Sequence, residues 1–438
     1  MNEIRTFDEA MQYVNTISAS GSVLGLDTIR NLMEVLGNPQ DELKIIHIAG
    51  TNGKGSVLAF SSSILMSSGY KVGTFSSPCV MGYLEKFRIN GKWMEEDEFV
   101  FYLNKVRRAC EVLKRNGKSL PTVFEFETAA AFLYFKENEC DYVVLETGLG
   151  GDLDSTNIVS SPMVCAFASV SMDHMGVLGN TLPQIAVKKA GIIKPGCDVI
   201  AGWQKAEVLE VIKAKCSEKG SFLKTMGSLN VAESDIEKQV FDYDTGKDSF
   251  RGFEIHMAGK HQCENACTAI EIALSVQRRA GRKRITKETI RKGLAAAAWP
   301  GRLEIVCTDP LVIIDGAHNE DAAYRLSLAL EEYFSGTDIF AAIGVFKDKE
   351  YTRIAKILSP HLKKVYTFEL PDRERTLDSG TLRAVFEKEG IHARECAPFE
   401  AVKRAAEDAA MCGGAALITG SLSFLGSAGK YIRDNYPK

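Results

Sequence analysis

At 438 residues the chain is too long for one small domain, and length alone sets a prior of about two to four domains. Hydrophobic residues at 45% and charged residues at 25% exclude global disorder, collagen and coiled coil. With 53 Lys plus Arg against 57 Asp plus Glu, the net charge of −4 argues against a nucleic-acid partner held by bulk charge.

The stretch up to residue 40 reads as helical. DTIRNLMEVL (Asp27 to Leu36) has apolar residues at helical spacing and stops before Gly37 and Pro39. KIIHIAG (Lys44 to Gly50) is a short isoleucine-rich run of buried-strand type, followed by a glycine-rich turn and a helix over Ser56 to Ser68. KVGTFSS (Lys71 to Ser77) predicts the next strand. Helices follow over Glu96 to Arg115 and Phe126 to Lys136, then strands over Asp141 to Glu146 and Val164 to Val170. Strands alternating with helices predict a mostly parallel sheet covered on both faces. Residues 197–258 are mixed: CDVIAGW, a helix in AEVLEVIKAKCSEKG, and alternating pieces such as FRGFEIHMAG. Helices return near Glu264 to Gln277 and Thr286 to Ala297. AWPGRLE (Ala298 to Glu304) then breaks the pattern at Pro300 and Gly301, the expected hinge. Beyond it the alternation restarts. LVIIDGA, IFAAIGV, KKVYTFEL and AALITG read as strands, with helices over Asp321 to Phe334, Tyr351 to Leu358, Leu382 to Glu389 and Glu400 to Met411. The expected division is a P-loop-type, mostly parallel ATPase domain over 1–298 and a smaller Rossmann-like α/β domain over 299–438.

No run approaches the roughly 20 apolar residues of a bilayer span. The N-terminal MNEIRTFDEAMQYV lacks the apolar core of a signal peptide, and YIRDNYPK carries no lipidation signal. Eleven scattered cysteines without a C-x-x-C pair, and seven histidines without zinc spacing, predict a reduced cytoplasmic protein.

GTNGKGS (Gly50 to Ser56) lies between a strand and a helix, the context a phosphate loop needs. Its glycines let amide hydrogens face phosphate oxygens, and the helix that follows adds the positive end of its dipole. Lys54 reaches for the β- and γ-phosphates, and Ser56 or Thr51 for Mg²⁺. The string departs from the general Walker pattern: Ile48 takes the place of the first glycine, and Gly55 separates Lys54 from Ser56. Glu146 ends a buried-type strand, where an ionised carboxylate is costly unless paired or on a metal. With His174 and a hydroxyl such as Ser77 it suggests a hard-cation site completed by phosphates and water. GLGG (Gly148 to Gly151) lacks the spacing of a dinucleotide fingerprint, since Leu153 takes the last position, so a Rossmann cofactor site is rejected.

Ordered motifs across almost the whole chain carry a family resemblance. LGNPQ and GTNGKGS are joined by SSP, EKFRING, TVFEFETAAAFLYF, ETGLGGDLDSTN and SMDHMGVLGNTLPQIAVKKAGIIKPG, and then by AGKHQCENA, WPGRLE, DGAHN, FKDKE and TGSLSFLG. Together they resemble the Mur ligase superfamily and, within it, the folylpolyglutamate synthase/dihydrofolate synthase family. The resemblance implies an ATP-dependent amide ligase that adds L-glutamate to dihydropteroate, to folyl-glutamate chains, or to both, through an acyl phosphate. It assigns ATP to Thr51, Asn52, Gly53, Lys54, Gly55, Ser56, Asn265, Arg302 and Asp315, with His261 nearby. It assigns Mg²⁺ to Ser77, Glu146 and His174, with a monovalent cation such as K⁺ as a further expectation. Lys189 is implied to be carbamylated, forming an N6-carboxylysine that bridges to Mg²⁺; Lys188 is an alternative by reach. Lys54, Lys189, His174 and Arg302 are the implied catalytic set. Phe124 and Glu125 fall where the family holds the pterin, and Leu153 and Asp154 in a neighbouring contact loop, although Phe124 also reads as a core aromatic. His318 and Ser421 fall near the incoming glutamate, or serve as a cap and a turn.

Two departures bear on the acceptor. Members read GGRLDATN where this chain has GGDLDSTN, so Asp152 replaces an arginine, and members read SPHL where it has SPCV (Ser77 to Val80). A paralogue acting on a non-folate carboxylate is the rival reading, beside an ATP-binding regulator without ligase activity. A peptidoglycan Mur ligase is disfavoured, because no UDP-sugar domain precedes the loop. No nucleic-acid or membrane partner is expected, and the charge pattern gives no oligomer signal, so a monomer is expected.

Overall fold

The computed structural model describes residues 3–18, 25–281 and 283–436; the part of the first helical stretch at 19–24 lies outside it. Helices α1 (Phe7–Ser18) and α2 (Asp27–Val35) lead into β1 (Ile45–Ala49), which is buried at every position. After α3 (Lys54–Ser67) come β2 (Val72–Phe75), β3 (Phe87–Ile89) and β4 (Lys92–Trp93). Helices α4 (Glu96–Arg115) and α5 (Val123–Glu137) precede β5 (Tyr142–Glu146) and β6 (Val164–Phe167). Then follow α6 (Met175–Leu178), α7 (Leu182–Ala190), β7 (Asp198–Ala201), α8 (Ala206–Lys219) and β8 (Phe222–Thr225).

These eight strands form one sheet in the order β4-β3-β2-β5-β1-β6-β7-β8. From β2 to β8 every pairing is parallel, and β3 and β4 are antiparallel additions at one edge. The continuous apolar runs of β1, β5 and β6 have the composition that burial on both faces requires. Ile46, Ile48 and Val144 pack on the α3 side, whereas Ile45, Val143 and Leu145 pack toward α4 and α5.

A second, three-stranded antiparallel sheet of β9 (Ser228–Ser234), β10 (Gln239–Asp244) and β11 (Ser249–Ile255) accounts for the alternating pieces of the mixed region. Its Phe241, Tyr243, Phe250 and Phe253 join the core shared with α9 (Lys260–Ala280) and α10 (Lys287–Ala296).

Beyond the Pro300–Gly301 turn, β12 (Glu304–Thr308), β13 (Leu311–Ile314), α11 (Glu320–Phe334), β14 (Ile339–Ile343), α12 (Tyr351–Leu358), β15 (Lys364–Thr367), α13 (Ser379–Lys388), β16 (His392–Glu395), α14 (Pro398–Cys412), β17 (Ala415–Thr419) and α15 (Leu422–Asn435) build the third sheet and its helices. Strand order is β12-β13-β17-β14-β15-β16, parallel except for the β12–β13 pair. The architecture is the expected one, a mostly parallel α/β unit followed by a separate, smaller one. The expected boundary at 298/299 falls in the segment between α10 and β12.

Several elements differ from the sequence reading. Strands β12 and β16 and helix α15 were not anticipated. β12 is an antiparallel edge strand, and β16 (HARE) has the composition of an exposed edge, so neither shows a long buried apolar run. Helix α5 starts at Val123 instead of Phe126, because Thr122 and Glu125 form a reciprocal capping box. Helix α3 starts at Lys54 instead of Ser56, which brings Lys54 and Gly55 into its first turn.

Candidate active site at the cavity between the two lobes

Both large sheets direct the C-terminal ends of their parallel strands at one cavity, where open α/β sheets bind ligands. From the first sheet come the loop after β1, Ser77 beyond β2, Glu146 at the end of β5, and Asp173 and His174 beyond β6. The C-terminal sheet supplies Asp315 after β13, Lys349 beyond β14 and Ser421 after β17. The cavity volume is about 420 Å³.

The loop from Gly50 to Ser56 is fixed by bonds to the β6 extension. Thr51 N donates to Ser169 O at 2.7 Å, and Thr51 Oγ1 donates to Ser171 O at 3.0 Å. Gly53 holds a left-handed φ of 85°, and a Cβ there would stand 2.6 Å from Asn265 Oδ1. A Cβ on Gly55 would stand 2.6 Å from Trp299 Nε1, so the glycine that departs from the Walker spacing makes room for the indole of the hinge segment. Ser56 Oγ is fully buried with no partner, an unsatisfied hydroxyl at the N-terminus of α3.

Two lysines converge on this loop. Lys54 Nζ donates to Thr51 O at 3.3 Å and lies 3.7 Å from Glu146 Oε1. Lys189, only 4% exposed, donates to Gly50 O at 2.7 Å. Burial first, and the neighbouring Lys54 second, push its ammonium down to about 7. Burial raises Glu146, opposed by Lys54 and then by Arg302. Asp315 is likewise raised by burial and opposed by Arg302, so one guanidinium serves a carboxylate from each lobe. Asp315 also accepts Leu303 N and Ala317 N, both at 2.9 Å. His174 has a left-handed φ of 49°, uncommon for a residue with a side chain, and burial lowers its imidazole. Burial, with Lys349 next, pushes His318 down to about 4.

Most of the sequence-derived site residues line this one cavity. Thr51, Asn52, Gly53, Lys54, Gly55, Ser56, Ser77, Glu146, His174, Lys189, Asn265, Arg302, Asp315, His318 and Ser421 are all on its wall. Ser421 also caps α15. Phe124, Glu125, Leu153 and Asp154 do not line it. Phe124 stacks on Phe75 at 5.7 Å and fits tightly behind Gly148. Glu125 accepts from Thr122 N, Thr122 Oγ1 and Ile29 N at 2.8, 2.9 and 3.1 Å. Asp154 accepts from Leu149 N at 2.7 Å and from Thr156, holding the Gly148–Gly150 loop from behind. Leu153 is 39% exposed. Asp152 is also off the wall; it pairs with Lys188 at 3.0 Å.

Sequence reasoning gave no role to Asp173, Asn319, Lys349 and Trp299, although SMDH, DGAHN, FKDKE and WPGRLE contain them. Asp372 and Arg375 also line the cavity and belong to no recognised motif. Among the described residues no three His, Cys, Asp or Glu side chains gather as a metal cluster. A hard cation here would therefore need phosphate and water oxygens beside Glu146, which suits Mg²⁺ better than a metal that demands an all-protein cage. The unpartnered Ser56 hydroxyl fits the same chemistry.

The Mur ligase middle domain family matches residues 48–273, and the glutamate ligase domain of Mur ligases matches 301–422. The dihydrofolate synthase/folylpolyglutamate synthase of Bacillus subtilis is 35% identical over 371 residues, covering 83% of this chain and 86% of that protein. The folylpolyglutamate synthase of Lacticaseibacillus casei is 34% identical over 385 residues, covering 87% and 89%. Among solved structures, Thermotoga maritima folylpolyglutamate synthase superposes with a TM-score of 0.84 at 32% identity, covering 99% and 98% of the two chains. Escherichia coli FolC in complex with DHPP and ADP superposes with a TM-score of 0.86 at 28% identity, covering 99% of each chain.

Proposed function

Since this chain belongs to the Mur ligase family, in its folylpolyglutamate synthase/dihydrofolate synthase branch, we propose that it is an ATP-dependent ligase joining L-glutamate to dihydropteroate, to folylpolyglutamate, or to both, with release of ADP and phosphate. The observation that carries the reading is the convergence of the phosphate loop, Lys54, Glu146 and Lys189 with Arg302 and Asp315 on one cavity between the lobes. The E. coli neighbour's complex, which holds DHPP and ADP together, supports the reading.

A carboxylate and an amine do not condense at neutral pH without activation. The acceptor carboxylate oxygen attacks the γ-phosphorus of ATP, the bond to the β-phosphate oxygen breaks, and ADP leaves. The glutamate amine then attacks the acyl carbon of the acyl phosphate, loses a proton, and inorganic phosphate departs. The amides of residues 50–56 and the N-terminus of α3 hold the phosphates. Lys54 and Arg302 offset charge that builds on the transferred group. Arg302 suits that task because its planar fork binds phosphate oxygens in pairs. Glu146, Ser77 and His174 are the residues that would hold Mg²⁺, which neutralises phosphate charge when bound. The buried Lys189, pushed toward neutrality, is suited to react with CO₂ and become an anionic carbamate. Closure of the lobes keeps water from the acyl phosphate.

The non-folate acceptor is suggested by the departures at Asp152 and Cys79. Asp152 pairs with Lys188, away from the cavity wall. Phosphate release from ATP should depend on glutamate, and should appear with dihydropteroate or tetrahydrofolate but not without an acceptor. Release with neither acceptor, from protein that binds Mg-ATP, would overturn the folate assignment. Mg-ATP binding without turnover on any carboxylate would favour the regulator.

A further inference from the structure

Asp173, Asn319 and Lys349 meet where the two lobes touch beside the phosphate loop. Asn52 Nδ2 donates to Asn319 Oδ1 at 3.1 Å and to Asp321 Oδ2 at 2.7 Å; Asn319 Nδ2 donates to Asn52 Oδ1 and to Asp173 Oδ2, both at 3.0 Å. Lys349 Nζ donates to Asp173 Oδ1 at 2.7 Å, and the two side chains are only 6% and 9% exposed. Asn52 belongs to the phosphate loop and Asp173 to the loop beyond β6. Asn319 caps α11, and Lys349 follows β14. Every one of these bonds therefore crosses from one lobe to the other.

A buried ion pair is a poor device for raw stability, because desolvation of both charges offsets their attraction. Here the two charges come from different lobes. Opening rehydrates both, whereas closing in a shifted register would bury one charge unpaired. That penalty selects one closed register.

We infer that Asp173, Asn319 and Lys349 are positioning residues, a latch that sets the closed register of the C-terminal lobe on the phosphate loop. The latch thereby fixes where Arg302 and Asp315 stand relative to Lys54 and Glu146. Only its kinetic consequence rests on the ligase reading above; the closure itself does not.

The test uses the full chain with Asp173→Asn, Lys349→Met, the double variant, Lys349→Arg, and the exposed Arg353→Ala as control. For a latch each single variant lowers kcat by about 30-fold or more, the double is no worse than the poorer single, and KM for ATP moves less than about threefold. Lys349→Arg recovers part of the loss. Small-angle scattering with Mg-AMPPCP reads closure without turnover: the wild-type chain contracts and each single variant contracts less. This arm stands even if the acceptor assignment fails, and Asp173→Asn alone carries it should Lys349→Met not fold. Losses that multiply in the double variant would overturn the latch. So would a raised KM for the amino acid in Lys349→Met with unchanged contraction, which would make Lys349 a substrate anchor.

Discussion

Lys189 and His47 show how burial sets chemistry one side chain at a time. Burial, and Lys54 after it, push the Lys189 ammonium down to about 7, so above that pH its amine would be free to take up CO₂. Below it the neutral fraction falls about tenfold per pH unit. Activity should fall in step between pH 7 and 6, and added bicarbonate should restore part of it. A carbamate resonance in ¹³C-bicarbonate NMR, absent in Lys189→Met, is the direct check. His47 is fully buried, and its Nε2 lies 2.8 Å from Thr156 Oγ1. Thr156 Oγ1 already donates to Asp154, so the imidazole must be the donor and Nδ1 is left without a partner. Burial lowers its pKa from 6.5 to about 3. Below 6.5 the unfolded chain takes up a proton that the folded chain refuses, so this contribution to stability is lost as pH falls toward 3. His47→Gln keeps a donor for Thr156 and removes the titration. Its melting temperature should therefore decline less steeply than wild type between pH 6.5 and 4.

At the scale of elements, α5 shows how a position near a motif can be structural. Its N-terminus is closed by Thr122 and Glu125, and the same carboxylate reaches across to Ile29 N in α2. Glu125→Ala removes an acceptor from three donors, two of them backbone amides. It should cost about 2–3 kcal/mol in urea unfolding, more than the roughly 1 kcal/mol expected for Thr122→Ala. A Glu125→Ala chain of unchanged stability with a raised KM for the acceptor would instead make Glu125 a ligand. The phosphate loop belongs to this scale as well. Gly55→Ala must displace the Trp299 indole, so it should weaken Mg-ATP binding at least about tenfold, whereas Gly37→Ala, in open space, should not. Titration of ATP followed by tryptophan fluorescence separates the two.

For the whole molecule, the cavity wall is shared between lobes whose sheets are built separately. A ligand held by both must stabilise both. At 100 times its dissociation constant Mg-ATP should add about 2.7 kcal/mol to unfolding and merge the transitions of the two lobes in calorimetry. Arg302→Ala removes the guanidinium shared by Glu146 and Asp315; it should leave two separate transitions even with nucleotide present.

The sequence alone determined what depends on local order along the chain. Isoleucine-rich runs bounded by glycine turns identify β1 and its loop, and GTNGKGS places Lys54 at a phosphate site, because strand, turn and helix are contiguous. Glu146 and His174 read as a hard-cation pair, and the resemblance adds Lys189, Arg302 and Asp315; the structure gathers all five on one wall. Edge strands such as β16 stayed hidden because an exposed edge carries no buried pattern. Phe124, Glu125 and Asp154 sit in the expected motifs, and in this structure their side chains stack in the core, cap a helix and support a loop, while Leu153 is exposed. Only the tertiary structure decided that Asp152 pairs with Lys188, that Trp299 covers Gly55, and that Asp173 meets Lys349. Each contact joins positions far apart in the chain, and a buried charge declares its partner only once both have left water.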